Sequence, residues 1–177
     1  MPVRSVADRA PAFGIHSETA FGNDLFEVIR AARRGIEHDH VVPIGEAVLR
    51  QRGEDLSIIS YGAEVHLCVE AARILEREGA SVEVLDLRSL VPLDRRAILE
   101  SVKKTNKALV VHEAHRTAGF GAEVAALIAE EAFAFLDGSV LRVAAMDIPV
   151  PFSPPLEMAM LPSVDKILTA GRELLRY

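Results

Sequence analysis

The sequence predicts an α/β protein, a three-layer α/β/α sandwich on a five-stranded, mostly parallel, doubly wound sheet. Three observations carry that class. From residue 41 onward, strand-like and helix-like segments alternate four times. The strand-like runs are apolar over five to seven residues, as in strands covered on both faces. The segments between them are long enough to be helical crossovers, which parallel strands require and which run right-handed.

VVPIGEAVLRQ, residues 41–51, is read as an extra first strand. LSIIS (56–60) is a buried strand with a tight exit at Tyr61-Gly62. EVHLCVEAARILEREG follows, with Val65, Cys68, Val69, Ala72 and Leu75 at helical spacing and Gly79 as a stop. SVEVLDL (81–87) alternates like a strand. Asp94 caps the helix RRAILESVKK, and Asn106 closes it. KALVVH (107–112) is the next strand. GAEVAALIAEEAFAFLDG reads as one helix, with Val124, Leu127, Ile128, Ala132 and Phe135 on one face and Gly138 as its end. VLRVAA (140–145) is the last strand, and PVPFSPP a proline-rich connection. Ser163 caps a final helix whose inner face is Val164, Ile167, Leu168, Gly171, Leu174 and Leu175.

Residues 1–40 lack this regularity and are expected to form a partly disordered extension with one short helix, LFEVIRAARRGIE. The remaining 41–177 make the domain. Of the net charge of −6, the extension contributes −1 and the domain −5. That is no nucleic-acid footprint, which needs clustered positive charge. Cys68 is the sole cysteine, so no internal disulfide forms, and its place on an apolar stripe makes it a core residue. No signal-like start and no membrane-length apolar run is present, so a cytoplasmic location is expected.

The stretch VVHEAHRTAGFGAE (110–123) concentrates the unusual chemistry. His112-Glu113-Ala114-His115 is one residue short of the zincin spacing and begins on a strand, which counts against a metal site. Gly119-Phe120-Gly121 opens a helix, but Val124 stands where a third glycine would be, and Glu123 already satisfies the helix dipole. That counts against a phosphate cradle. A His–Glu pair lacks a nearby serine or cysteine nucleophile. What remains is a turn whose glycines permit close backbone approach, with Arg116 and Glu123 available for polar contacts.

VPIGEAVLRQRGEDLSIISYGAEVH, VEVLDLRSLVPLD, VVHEAHRTAGFGAE and VPVPFSPPLEMAMLPSVDKIL occur in that order. On these stretches, residues 41–177 resemble the C-terminal domain of the beta subunits of thiamin-diphosphate-dependent 2-oxo acid dehydrogenases, the decarboxylating component of the pyruvate and branched-chain complexes. That domain belongs to the transketolase C-terminal superfamily. The resemblance implies a piece of an oxidoreductase. The activating glutamate of the family's pyrimidine-binding domain, and the diphosphate and magnesium motif of the alpha subunit, have no counterpart motif in residues 1–40. The chain alone is therefore expected to bind no cofactor and to be inactive, with thiamin diphosphate and magnesium belonging to the complete enzyme.

The partners that the resemblance implies are the alpha subunit, another beta subunit and the basic subunit-binding domain of the lipoyl acyltransferase. The chain is expected to form a homo- or hetero-oligomer. The expected interface residues are His112, Glu113, His115, Arg116, Gly119, Phe120, Gly121 and Glu123. A second class of function is a free-standing ligand-binding or metal-binding enzyme that re-uses the fold with His112, Glu113 and His115 as working groups.

Overall fold

Residues 43–177 are described by a computed structural model. The expected extension and its short helix lie outside the described residues. Five strands form one sheet: β1 (Val48–Gln51), β2 (Leu56–Ser60), β3 (Val82–Asp86), β4 (Ala108–His115) and β5 (Leu141–Ala145). Their order is β1-β3-β2-β4-β5. β1 pairs antiparallel with β3, and every other pairing is parallel. The helices are α1 (Glu64–Arg77), α2 (Arg95–Thr105), α3 (Phe120–Glu131), α4 (Pro154–Met160) and α5 (Val164–Leu174).

The apolar runs explain the layers. β2 and β3 are buried along their whole lengths, as covering on both faces demands. Side chains alternate between the faces. Leu56, Ile58, Val84 and Leu109 meet α1 and α5 through Leu75 and Ile167. Ile59, Leu85 and Val110 meet α2 and α3 through Ile98 and Ile128. Cys68 is buried in the first of these cores, as expected. Local chemistry fixes several ends. Asp94 accepts a hydrogen bond from the Ala97 N–H at 3.0 Å, and Ser163 accepts one from Lys166 at 3.3 Å. Asn106 closes α2 at φ 60°, in the left-handed region where asparagine is well tolerated.

A buried polar group also sets α2 on the sheet. Glu83 of β3 accepts from Ser101 Oγ at 2.6 Å and from Lys104 Nζ. Ser57 of β2 lies 2.6 Å from Ser101 and 2.7 Å from Thr105, oxygen to oxygen.

Three expectations need correction. The first strand is shorter than 41–51, because Ile44-Gly45 forms a turn, with Gly45 at φ 81°. The third crossover helix, α3, stops at Glu131, and Phe133–Phe135 is a single 3-10 turn with Phe135 exposed. Tertiary bonds win there. The Asn106 amide donates to the Phe135 carbonyl at 2.6 Å, and the Asp137 N–H donates to the Asn106 carbonyl at 2.9 Å. The proline-rich connection contains a helix, α4. Pro154 and Pro155 sit in its first turn, where a missing N–H costs nothing. The Ser153 carbonyl accepts from Leu156 and Glu157.

Candidate functional site

β2 and β4 lie side by side, yet the helices that leave them go to opposite faces of the sheet. Such a reversal opens a crevice at the carboxyl ends of the strands. Tyr61 leaves β2 there, and His112 stands level with it on β4, where the regular pairing with β5 ends. Their rings stack at 6.2 Å between centroids with planes 8° apart. Phe120, the first residue of α3, meets Tyr61 edge-on at 6.2 Å.

His112 is wholly buried. A Cβ on Gly121 would stand 2.0 Å from its Cδ2, and one on Gly119 would stand 2.8 Å from its Cε1. The paired glycines therefore serve close approach, but toward the chain's own histidine. Neither ring nitrogen has a hydrogen-bond partner of good geometry among the described residues. Burial, then the Arg142 charge, push its pKa below the usual 6.5, with the Ala114 backbone opposing. Since the folded value is depressed, His112 supports stability fully above the unfolded value. That support is lost as pH falls below about 6.5 and through the folded value. Urea denaturation at about pH 7.5 and about pH 5.5 should show the loss, and His112→Gln should remove most of it. An unchanged slope in the variant would assign the loss to other groups.

The next six residues, Glu113 to Ala118, are exposed. They are held by residues 142–148 rather than left loose. His115 Nε2 lies 3.0 Å from the Ile148 carbonyl. Arg116 donates to the Arg142 carbonyl at 2.8 Å, and Arg142 returns a bond to the Arg116 carbonyl at 2.9 Å. Thr117 donates to Asp147 through its N–H at 2.9 Å and its hydroxyl at 2.7 Å, and these bonds keep the Asp147 acid below its usual range. Beyond Asp147, the chain exposes Ile148, Val150, Phe152, Leu156 and Met158.

The sequence pattern gave no sign of a second group, on the α1 side of the crevice. Glu64 stands in the first turn of α1, where an acid ordinarily complements the helix dipole from solvent. Here it is 5% exposed, and Oε2 has no hydrogen-bond partner among the described residues. The buried Ser60 hydroxyl is likewise unpartnered. Burial, and next the Glu113 carboxylate, raise the Glu64 pKa. The Cys68 thiol close by is pushed up to about 12, chiefly by burial.

The expected site residues therefore divide. His112 and Gly121 are buried with Gly119 and Phe120 half-buried beside them, whereas Glu113, His115, Arg116 and Glu123 are exposed. His112, Glu113 and His115 each meet different neighbours, respectively Gly121, Glu64 and Ile148. Among the described residues, no three His, Cys, Asp or Glu side chains are grouped as metal ligands would be. No helix among them is long and apolar enough to cross a membrane.

Fold and crevice define a three-layer α/β domain with a reversal between β2 and β4. Residues 45–167 match the family model of the transketolase C-terminal domain, and the chain belongs to that family. The pyruvate dehydrogenase E1 component subunit beta of Bacillus subtilis is 44% identical over 141 residues, covering 80% of this chain and 43% of that protein. The 2-oxoisovalerate dehydrogenase subunit beta of the same organism is 41% identical over 140 residues, covering 78% and 43%. Its acetoin:2,6-dichlorophenolindophenol oxidoreductase subunit beta is 37% identical over 171 residues, covering 97% and 48%. Among solved structures, a split-gene transketolase described as an inactive beta4 tetramer matches with a TM-score of 0.67 and 27% identity, over 78% of this chain and 44% of that one. The chain spans less than half the length of these relatives.

Proposed function

We propose that this chain is the assembly domain of a cytoplasmic thiamin-diphosphate-dependent 2-oxo acid dehydrogenase beta subunit. Its partners are an alpha subunit, a second beta subunit and the subunit-binding domain of the lipoyl acyltransferase. Oxidative decarboxylation of a 2-oxo acid then takes place only in company with the pyrimidine-binding and diphosphate-binding parts. The crevice matches thiamin diphosphate poorly. Glu113 is an exposed acid and Glu64 a buried one within its electrostatic reach, charges that repel a diphosphate, and the His112 ring fills the space beneath Gly121. No catalytic step is assigned to these residues.

One observation carries the reading. Glu113–Ala118 and the apolar side chains of 146–158 are exposed, and the His115–Ile148 and Thr117–Asp147 bonds tie the two segments together. A run of exposed apolar residues with a polar border is the make-up of a protein-binding surface. Sedimentation velocity tests it, on the chain alone and mixed with its cognate alpha subunit. We expect association in at least one of the two. Arg116→Ala, which releases the clasp with Arg142, and Phe152→Asp should each weaken association, the latter by about tenfold or more. A chain that stays monomeric at high concentration and ignores the alpha subunit would sink the reading.

A further inference from the structure

The first turn of α1 has little local support. Its N-cap is Ala63, whose side chain can accept no hydrogen bond, and Gly62 before it stands at φ 68°. The Val65 and His66 N–H groups donate to the Gly62 and Ala63 carbonyls at 3.4 and 3.2 Å, at or beyond the long end of the normal range. Burial seats the turn instead, through Val65 and Glu64, each 5% exposed. One of these two anchors can carry a charge.

Glu64 lies where a neutral acid fits and a carboxylate does not. Among the described residues, Oε2 has no hydrogen-bond partner and no ion pair reaches the side chain. The charges around it share its sign. Glu113 approaches from β4 and repels it. On α1 itself, the buried Cys68 thiol feels both Glu64 and Asp86, the acid at the end of β3. Asp86 already holds Arg50 of β1 at 2.7 Å. From β2 come Ser60, with its hydroxyl unpartnered, and Tyr61, whose phenol burial keeps neutral. His66 is on the exposed face of α1, and His112 turns toward Gly121 on the other face of the sheet. Lys166 of α5 is engaged by the Ala159 and Leu161 carbonyls. The amino end of α1 favours the anion, but the desolvation of an unpaired, buried carboxylate outweighs that field.

We propose that Glu64 is a proton-operated latch: as the neutral acid it seats the first turn of α1 at the crevice, and once ionised it draws that turn out toward water. A carboxyl that holds its proton more firmly in the closed domain than in the open one favours the closed form fully below its open-state value near 4.5. That advantage is lost as pH rises through the closed-state value. Each unit between the two values makes opening about tenfold easier. His112 works in the opposite direction, since its support is lost as pH falls, and the two buried groups are told apart by sign. The latch does not depend on the assembly reading.

Two measurements on the whole chain test it. Carboxyl carbon NMR should show Glu64 titrating above 4.5. Amide exchange supplies the second, through the Leu67, Cys68 and Val69 N–H groups, whose helical bonds reach back to residues 63–65. Between about pH 5 and about pH 8, after correction for the intrinsic pH dependence of exchange, their protection should fall while that of Ile58 and Val110 in the strands holds. The fall should be about tenfold for each unit by which the Glu64 midpoint exceeds 4.5. Glu64→Gln, which keeps the shape and cannot ionise, should abolish it. Glu113→Gln, at an exposed position, should lower the Glu64 midpoint and shrink the fall. That second variant and the wild-type midpoint decide the matter even if Glu64→Gln folds poorly. A Glu64 midpoint at or below 4.5, one that Glu113→Gln leaves unmoved, protection that ignores pH, or a fall that persists in Glu64→Gln would overturn the latch.

Discussion

Gly121→Ala is expected to destabilise the domain by about 3 kcal/mol, the upper range for overpacking a tight interior. The new Cβ would stand 2.0 Å from His112 Cδ2 and 2.2 Å from Nε2. A ring on the surface would swing aside. This one is fully buried, with Tyr61 stacked nearby, so relief requires α3 or β4 to move. The conflict is specific to one pair of residues, and that makes it testable by a double-mutant cycle. His112→Ala alone should cost about 3 kcal/mol through the cavity it leaves. Combined with Gly121→Ala it should cost much less than the two together, with a coupling of about 2–3 kcal/mol. Urea denaturation of the four proteins gives the figures. Simple additivity would mean that the glycine serves something other than the histidine.

The second large effect lies beneath α2. Lys104 is the charged partner of Glu83, whose side chain is 2% exposed. Lys104→Met keeps much of the apolar stem and removes the charge, so Glu83 is left buried with Ser101 as its remaining partner. Breaking a buried pair from one side costs about 3–5 kcal/mol. Lys104 is itself 35% exposed, so water can replace part of its charge, and about 2–3 kcal/mol is the expected loss. Adding Glu83→Gln removes the stranded charge while keeping an acceptor for Ser101, and should recover more than half of that loss. If the second change made matters worse, the carboxylate would be satisfied by Ser101 alone, and the lysine would be ornamental.

What the sequence made legible was chemistry that acts within a few residues. Asp94, Asn106 and Ser163 end their helices through bonds to near neighbours, so their roles could be read directly. The apolar runs of β2, β3 and β4 declare burial on both faces for the same reason. The departures all involve a distant partner. α3 stops early because Asn106 takes the Phe135 carbonyl across 29 positions. α4 was hidden by its prolines, which look like breakers unless they fall in a first turn. At the site, the glycine pair did signal close approach, but nothing local says whether the approaching group is another chain or the protein's own His112. Glu64 was invisible for a related reason. An acid in the first turn of a helix looks the same whether it faces water or is buried, as Glu64 is.

The single thiol gives the molecule an unintended clock. Cys68 is inaccessible in the closed domain and burial pushes its thiol up to about 12, so the reactive thiolate is scarce at neutral pH. Reagents that modify cysteine must wait for α1 to lift from the sheet. The pace at which they consume the thiol therefore counts openings of the α1–α5 layer, the slow breathing motions that a static picture omits. No second cysteine exists to confuse the signal. Association that covers this end of the sheet would slow the count, and the chain would report its own assembly without a fluorophore or a tag.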